Sequence, residues 1–256
     1  MKFPLRLSFD LLRGTVSRAF ANGRDASMIR HLSPTAFASD QKEIEAESNP
    51  EAAVMEIPAT VVAQTAAPIL WVGGEEPLQH PVIGRVSAAL TQAGRNVFLH
   101  TNGVKLRQRI HEFRPDPRLF LTVELVGREE MHDRLVGQPG AFRKVIEGIR
   151  AAKLSGFHVC THVSVSSQSD VCETGELFEF LDRYDVDGYI VSSGGRAESS
   201  SLSEVQEKLE EIRALVRCSR WEEFSALLES SYLEPREKKV GVPVAGGDSN
   251  ACEESA

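Results

Sequence analysis

The chain has 256 residues, a formal net charge of −8, 41% hydrophobic residues and 26% charged residues. That composition supports a core of ordinary size and is too apolar for global disorder. The acidic balance argues against nucleic acid as a partner, and no run of 18 apolar residues exists to form a transmembrane helix.

Residues 1–27 are basic, and Leu7, Leu11, Leu12 and Val16 fall at helical spacing. They predict an amphipathic helix, either docked on the body of the protein or lying at a membrane surface. Asp10 and Asp25 interrupt the stretch and no continuous apolar core is present, which argues against a secretory signal. A strand is expected at about residues 28–34, followed by an acidic, polar loop over residues 38–56.

From residue 66 onward, apolar runs alternate with amphipathic segments. "PILWV" reads as a strand, and "HPVIGRVSAALTQAG" as a helix closed by Gly94. "NVFLHTNG" is a strand, "KLRQRIHEF" a short helix and "RLFLTVELVG" a strand. "GAFRKVIEGIRAAKLSG" is a helix closed by Gly156, with Phe142, Val145, Ile146 and Ile149 on one face. "FHVCTHVSVS" is a strand, "TGELFEFLDRYD" a helix and "VDGYIVSSGG" a strand. The helix "SSLSEVQEKLEEIRALVR" opens on a Ser201-x-x-Glu204 capping box. This alternation implies parallel strands with right-handed crossovers, which a doubly wound sheet and a TIM-like barrel both satisfy. With the strand at 28–34 there are about six units where a full barrel has eight, so a barrel would be partial. The expected organisation is an N-terminal helix (1–27), a partial (β/α) barrel (28–217), a helical extension (218–239) and a disordered tail (240–256).

In βα folds of either kind, sites gather at the carboxyl ends of the strands. Those ends carry Gly73, Gly74, Glu75 and Glu76; Thr101 and Asn102; Glu124; Ser164; and Ser192, Gly194 and Gly195. Glycines there admit a ligand close to the backbone, and carboxylates can accept from its ammonium or hydroxyl groups. They equally make ordinary βα turns, and it is five such turns on one rim that argue for a pocket. Along "FHVCTHVSVS" the residues His158, Cys160, His162, Ser164 and Ser166 share one face, a polar set for a buried strand. His162 is a candidate acid/base group or a hydrogen-bonded bystander. His132 and Asp133 read as a helix entry, with Asp133 paired to Arg134, rather than a catalytic dyad. The cysteines (Cys160, Cys172, Cys218 and Cys252) form no C-x-x-C pair, so no metal site is expected and the thiols are expected reduced, as in the cytoplasm. A nucleophile elbow, a P-loop and a G-x-G-x-x-G are all absent.

Taken together, "WVGGEEPLQHPVI", "VFLHTNG", "LTVELVGREEMHDRLVGQPGAFRKVIEGIRAAKLSGFHV" and "VDGYIVSSGG" resemble consecutive motifs of the radical S-adenosylmethionine (SAM) enzymes. The resemblance covers about residues 66–197, and within that superfamily it looks most similar to the adenosyl-hopene transferase group of hopanoid lipid synthesis. It implies a partial TIM-like (β/α)6 barrel in which the turn at Gly73, Gly74, Glu75 and Glu76 would hold the SAM amino group. The turn has one residue more than the usual Gly-Gly-Glu-Pro, which leaves open which glutamate serves. The following strand ends, with Thr101, Asn102, Glu124, Ser164 and Ser192, would line the rest of the pocket.

The chain departs from the family at its C-x-x-x-C-x-x-C motif, whose three thiolates bind a [4Fe–4S] cluster. Those positions fall on Ala38, Lys42 and Glu45, and the first cysteine of the chain is Cys160. Alanine, lysine and glutamate do not replace thiolates around iron, so no cluster is expected. One reading is therefore a non-catalytic descendant: a ligand-binding or partner module, for instance beside a true radical SAM enzyme. The other is an enzyme, with the cluster supplied unusually or with other chemistry at Glu124, His162 or Glu76. A cytoplasmic location is expected, with the basic first helix and a lipid-like ligand as the route to a membrane surface.

Overall fold

The computed structural model describes residues 3–20, 27–34, 67–193 and 202–233. The elements run α1 (Leu5–Phe20), β1 (Ile29–Leu32), β2 (Ile69–Val72), α2 (Ile83–Gln92), β3 (Asn96–Thr101), α3 (Leu106–Arg109) and β4 (Leu119–Glu124). They continue with α4 (Glu129–Val136), α5 (Ala141–Leu154), β5 (His158–Val165), α6 (Val171–Leu181), β6 (Gly188–Ser193), α7 (Leu202–Ala214) and α8 (Ser219–Leu233). The six strands form one all-parallel sheet in the order β1-β2-β3-β4-β5-β6. A doubly wound sheet reverses its order midway, so this strictly sequential order selects the barrel-type winding.

The sheet is strongly curved. The rings of Trp71 on β2 and His162 on β5 lie 5.5 Å apart between centroids. In a flat sheet, strands three steps apart would be separated by about 14 Å. Trp71, Phe98, Phe120, His158, His162 and Ser164 therefore share the concave face, which the stacking of Trp71 on Phe98 and of Phe98 on Phe120 confirms. The alternate residues, including Leu70, Leu99, Leu121, Val159 and Val191, are buried on the convex side. The apolar stripes of the outer helices are buried too: Val86 and Leu90 of α2, Val145 and Ile149 of α5, Leu177 and Leu181 of α6, Leu209 and Ile212 of α7. Each fully buried leucine or valine contributes about 1.5–3 kcal/mol of transfer free energy.

With six strands the barrel does not close, and helices α7 and α8 manage the open edge. The outward-pointing Val191 N–H donates to Ser225 Oγ (3.0 Å), and the Val191 carbonyl accepts from the Arg213 guanidinium (3.1 and 3.2 Å). The Ser193 N–H donates to Glu229 Oε2 (2.8 Å). These bonds satisfy edge groups that a seventh strand would otherwise pair. Helix α8 also fills the hollow. Trp221, fully buried, rests on the bare backbone of Gly188, and Phe224 stacks on Phe98 at 4.7 Å. Helix α1 docks beneath through buried Leu7, the Phe3–Trp221 contact and Asp10, which takes hydrogen bonds from Arg118 (2.8 Å) and Asn96 (3.0 Å).

Two expectations change. Helix α4 is an element of its own between β4 and α5, where the sequence named no separate element and read His132 and Asp133 as a helix entry. Asp133 does not pair with Arg134; it accepts from the N–H groups of Gly140 (2.5 Å) and Phe142 (2.8 Å) and so caps the start of α5. Gly140 at that N-cap has no side chain to do so. These backbone bonds, that from Phe142 foremost, hold the Asp133 carboxyl below its ordinary range. The Ser201 capping hydroxyl, Gly194, Gly195, the 38–56 loop with Ala38, Lys42 and Glu45, and the 240–256 tail with Cys252 lie outside the described residues.

Candidate functional site

The carboxyl ends of β2 to β6 form one rim. At its β2 side, Glu76 joins two turns. Its Oε1 accepts from the Leu78 N–H (3.0 Å), capping the 3-10 turn Pro77–Gln79, and from Thr101 Oγ1 (2.6 Å). Its Oε2 accepts from the Asn102 N–H (2.8 Å). Thr101 Oγ1 in turn accepts from the Gly103 N–H and Asn102 Oδ1 from the Val104 N–H, each at 3.0 Å. Arg109 holds the far side of the same turn through the carbonyls of Leu78 (2.5 Å) and His80 (3.0 Å). Glu76 is thus committed to protein donors, whereas Glu75 and Gly74 are exposed. Gly74 has φ +95°, and a Cβ built on it would meet nothing within 4 Å, so the turn is open to an approaching group. Gly73 is glycine for a different reason: a Cβ there would lie 3.1 Å from the His100 side chain.

His100, on the concave face of β3, leads into the centre of the site. Its Nε2 lies 3.0 Å from His162 Nδ1 and 4.0 Å from Glu124 Oε2. His162 Nε2 is 2.8 Å from Ser192 Oγ, and Ser164 Oγ donates to Glu124 Oε1 at 2.9 Å. Trp71 stacks on His100 at 5.2 Å and meets His162 edge-on. The strand register causes this grouping: Glu124 pairs with His162, and Ser164 with Ser192, while His100 sits opposite Thr122. Burial lowers the pKa of His100, against the opposing pull of Glu124 and Glu76, and lowers that of His162 further, with His100 adding to the effect. Both imidazoles are therefore neutral at physiological pH: one of the facing nitrogens, His100 Nε2 or His162 Nδ1, carries the hydrogen between the rings, and the tautomer of His162 sets whether Ser192 Oγ donates to or accepts from its Nε2. Such a chain can carry a proton between the rim and the buried Ser192 hydroxyl.

Of the residues expected at the site, Glu124, Ser164 and Ser192 are brought together with His162. Gly73 touches the same cluster, and Glu76, Thr101 and Asn102 build the adjoining turn. Sequence reading missed His100 and Trp71. The period-two pattern of "WV" and "NVFLHT" held the signal, since Trp71, Phe98 and His100 alternate onto the face that His162 occupies. It also expected no metal site, because the cysteines form no C-x-x-C pair; the histidines and the glutamate were not weighed as ligands. Among the described residues, His100, Glu124 and His162 are the one group of three or more metal-capable side chains, their candidate ligand atoms all within 4.8 Å of one another. A hollow of ≈ 460 Å³ lies against α4, lined by Met131, Arg134, Leu135 and Gln168, none of them a member of this group.

The donor set does not fit an iron–sulfur cluster. Cys160 is fully buried, and its thiol is pushed well up, by burial first and then by Asp187, so it is not a thiolate. Cys172 is exposed at the start of α6, and Cys218 is half-buried before α8. No three cysteines meet among the described residues, and no cysteine precedes Cys160 in the chain.

A family model described as the radical SAM superfamily matches residues 36–181. An AdoMet-dependent heme synthase from Methanosarcina barkeri is 32% identical over 143 residues. That alignment covers 54% of this chain and 41% of the synthase, so the chain spans less than half the length of this relative. Among solved structures, Streptococcus suis SuiB bound to S-adenosylmethionine matches with a TM-score of 0.51 at 12% identity, over 84% of this chain and 51% of SuiB. SuiB bound to its precursor peptide SuiA matches with a TM-score of 0.53 at 11% identity, over 84% and 52%. At such identities the likeness is one of fold.

Proposed function

The chain belongs to the radical SAM superfamily, and from that membership we propose that it keeps the half-barrel as a ligand-binding or partner module without cluster-dependent radical chemistry. One observation carries this reading: no cysteine precedes Cys160, so the positions that the resemblance assigns to the three iron-binding cysteines (Ala38, Lys42 and Glu45) hold none, and the described cysteines lie apart. Three thiolates are needed to hold the cluster, and hard or cationic side chains do not substitute for them.

SAM is the first ligand to try. SuiB of the same fold binds it, and the relative from Methanosarcina barkeri is AdoMet-dependent. The open Gly73–Gly74 turn would receive the amino group, as the family resemblance implies. Exposed Glu75 and Asn102 would flank it, and Glu124, Ser164 and Ser192 would offer acceptors and hydroxyls deeper in the rim. Bound SAM supplies a sulfonium centre with transferable alkyl groups. The residues of this chain would orient it, and Glu76 would hold the two turns that shape its seat. The finer likeness to the adenosyl-hopene transferase group belongs to this proposal, as does a protein partner; SuiB binds a precursor peptide on the same fold.

A second reading, an enzyme with other chemistry, is favoured by the neutral His100–His162–Ser192 chain, which has the form of a proton conduit. Calorimetric titration with SAM separates the possibilities. Binding that is lost in Gly74→Val and weakened in Glu124→Ala supports the SAM site. Full-strength binding in both variants would remove this rim from it. Complete absence of binding would leave the partner module.

A further inference from the structure

We propose that His100, His162 and Glu124 bind a single divalent transition-metal ion of the zinc type at the floor of the rim pocket. This goes beyond the reading above, since the site stands whether or not SAM binds.

The geometry is close to what such an ion needs. Zinc–nitrogen bonds of about 2.0–2.1 Å at tetrahedral angles put two imidazole nitrogens about 3.3 Å apart. His162 Nδ1 and His100 Nε2 are 3.0 Å apart, a few tenths of an ångström short. Glu124 Oε2 is 4.0 Å from His100 Nε2, and all three candidate ligand atoms lie within 4.8 Å of one another, so the carboxylate must close by up to about 1.5 Å to complete tetrahedral edges of about 3.3 Å. Its side chain is about one-third exposed at the rim and has room to do so.

The supporting contacts point the same way. A metal-binding histidine is normally oriented by a partner on its other nitrogen, and a metal-binding carboxylate by a donor on its other oxygen. His162 has Ser192 Oγ at 2.8 Å on Nε2, leaving Nδ1 to face His100 and Glu124. Glu124 has Ser164 Oγ on Oε1, leaving Oε2 on the His100 side. Trp71 and Gly73 pack on the His100 ring and fix its plane. The three side chains stand on three adjacent strands, β3, β4 and β5, whose spacing the backbone ladder fixes. Thr122, the register partner of His100, is fully buried, and its Oγ1 finds no hydrogen-bond partner among the described residues. A water held by an ion above it would satisfy that hydroxyl.

The chemistry of the donors selects the ion. Two imidazoles and one carboxylate suit zinc and its first-row neighbours, whereas calcium and magnesium take oxygen donors. With three protein ligands, the fourth position would face the rim, open to water or to a ligand atom, as in catalytic rather than structural zinc sites.

The test uses the untagged full chain, stripped with chelator and then titrated with Co²⁺ followed visibly and with Zn²⁺ in competition. One equivalent is expected, with the intense visible bands of four- or five-coordinate cobalt. His100→Gln and His162→Gln should abolish the bands, Glu124→Gln should weaken binding at least about tenfold, and Ser192→Ala about tenfold. His111→Ala, at an exposed histidine, should leave binding unchanged. If a histidine variant loses its circular dichroism signal, Glu124→Gln at the rim decides the matter. Binding of no ion, or binding that Glu124→Gln leaves at full strength, overturns the site. Failure here leaves the cluster-free reading intact, and an iron–sulfur cluster appearing beside an intact zinc site would sink only that reading.

Discussion

Gly188 and Trp221 form the contact on which closure of the half-barrel depends, and a double-mutant cycle measures it. A Cβ at position 188 would lie 2.2 Å from Trp221 Cε2, 2.5 Å from Cδ2 and 2.6 Å from Cζ2. Ordinary carbon contacts begin near about 3.5 Å, so either the strand or the indole must retreat by about 1.3 Å. Neither has room. Gly188 is paired to Cys160 on β5, and Trp221 is fully buried between Phe3 and Phe224. Gly188→Ala is therefore expected to cost about 3 kcal/mol, the upper end of overpacking penalties. Trp221→Ala alone should cost about 3–5 kcal/mol from lost burial and the cavity it leaves. In the combined variant the methyl enters the space the indole vacates, so the Gly188→Ala cost should nearly vanish, a coupling of about 3 kcal/mol. Urea unfolding followed by circular dichroism reads all four corners. A Gly188→Ala cost below about 0.5 kcal/mol, or the same cost with and without the indole, would refute the docking of α8 in the hollow.

Ser225→Ala removes the acceptor of the buried Val191 N–H on the open edge of β6, and should destabilise the protein by about 1–3 kcal/mol in the same assay. Glu76→Gln weakens acceptance from Leu78, Thr101 and Asn102 at once; a loss of about 1–2 kcal/mol is expected, with hydrogen-exchange protection falling first at the Leu78 and Asn102 amides. Asp187 gives a pH-dependent prediction. Burial alone would raise its carboxyl, but hydrogen bonds from His158, Lys153 and the Val159 N–H, with the Lys153 charge, outweigh it and hold the pKa below 3.8. A depressed folded pKa stabilises fully above the unfolded value and loses that contribution as pH falls through the folded one. Asp187→Asn should thus be less stable than the parent by about 1–2 kcal/mol at neutral pH, with the gap narrowing below pH 3.8. A gap constant with pH would contradict the ion pair.

The barrel was legible because each strand is a short apolar run and each outer helix carries one apolar stripe. Gly94 and Gly156 close α2 and α5 with φ +82° each, as their positions after the last apolar residue imply. The alternation alone left the choice between winding types open, since strand order is a tertiary property; the family resemblance implied the partial barrel, and the sequential strand order agrees with it. Helix α4 escaped because only eight residues separate Arg128 from Gly137, and its apolar positions are few. The purpose of Asp133 escaped for the same reason: its partners, Gly140 and Phe142, become neighbours only once the chain turns between two helices. The site was half visible. Polar residues at strand ends marked Glu124, Ser164 and Ser192, and alternation marked His162. His100 lay hidden one residue before Thr101, because the pairing that brings it to His162 spans two strands. The role of α8 as a plug had no local signature, since a tryptophan on an amphipathic helix reads the same whether it meets a neighbour or a hollow.

The measurement that bears most directly on the proposed function is anaerobic reconstitution of the full chain with iron and sulfide, followed by metal analysis and the visible spectrum. The cluster-free reading is expected to yield a protein without stoichiometric iron or sulfide and without the broad charge-transfer absorption of a [4Fe–4S] centre. Four irons and four sulfides per chain with that absorption would contradict it.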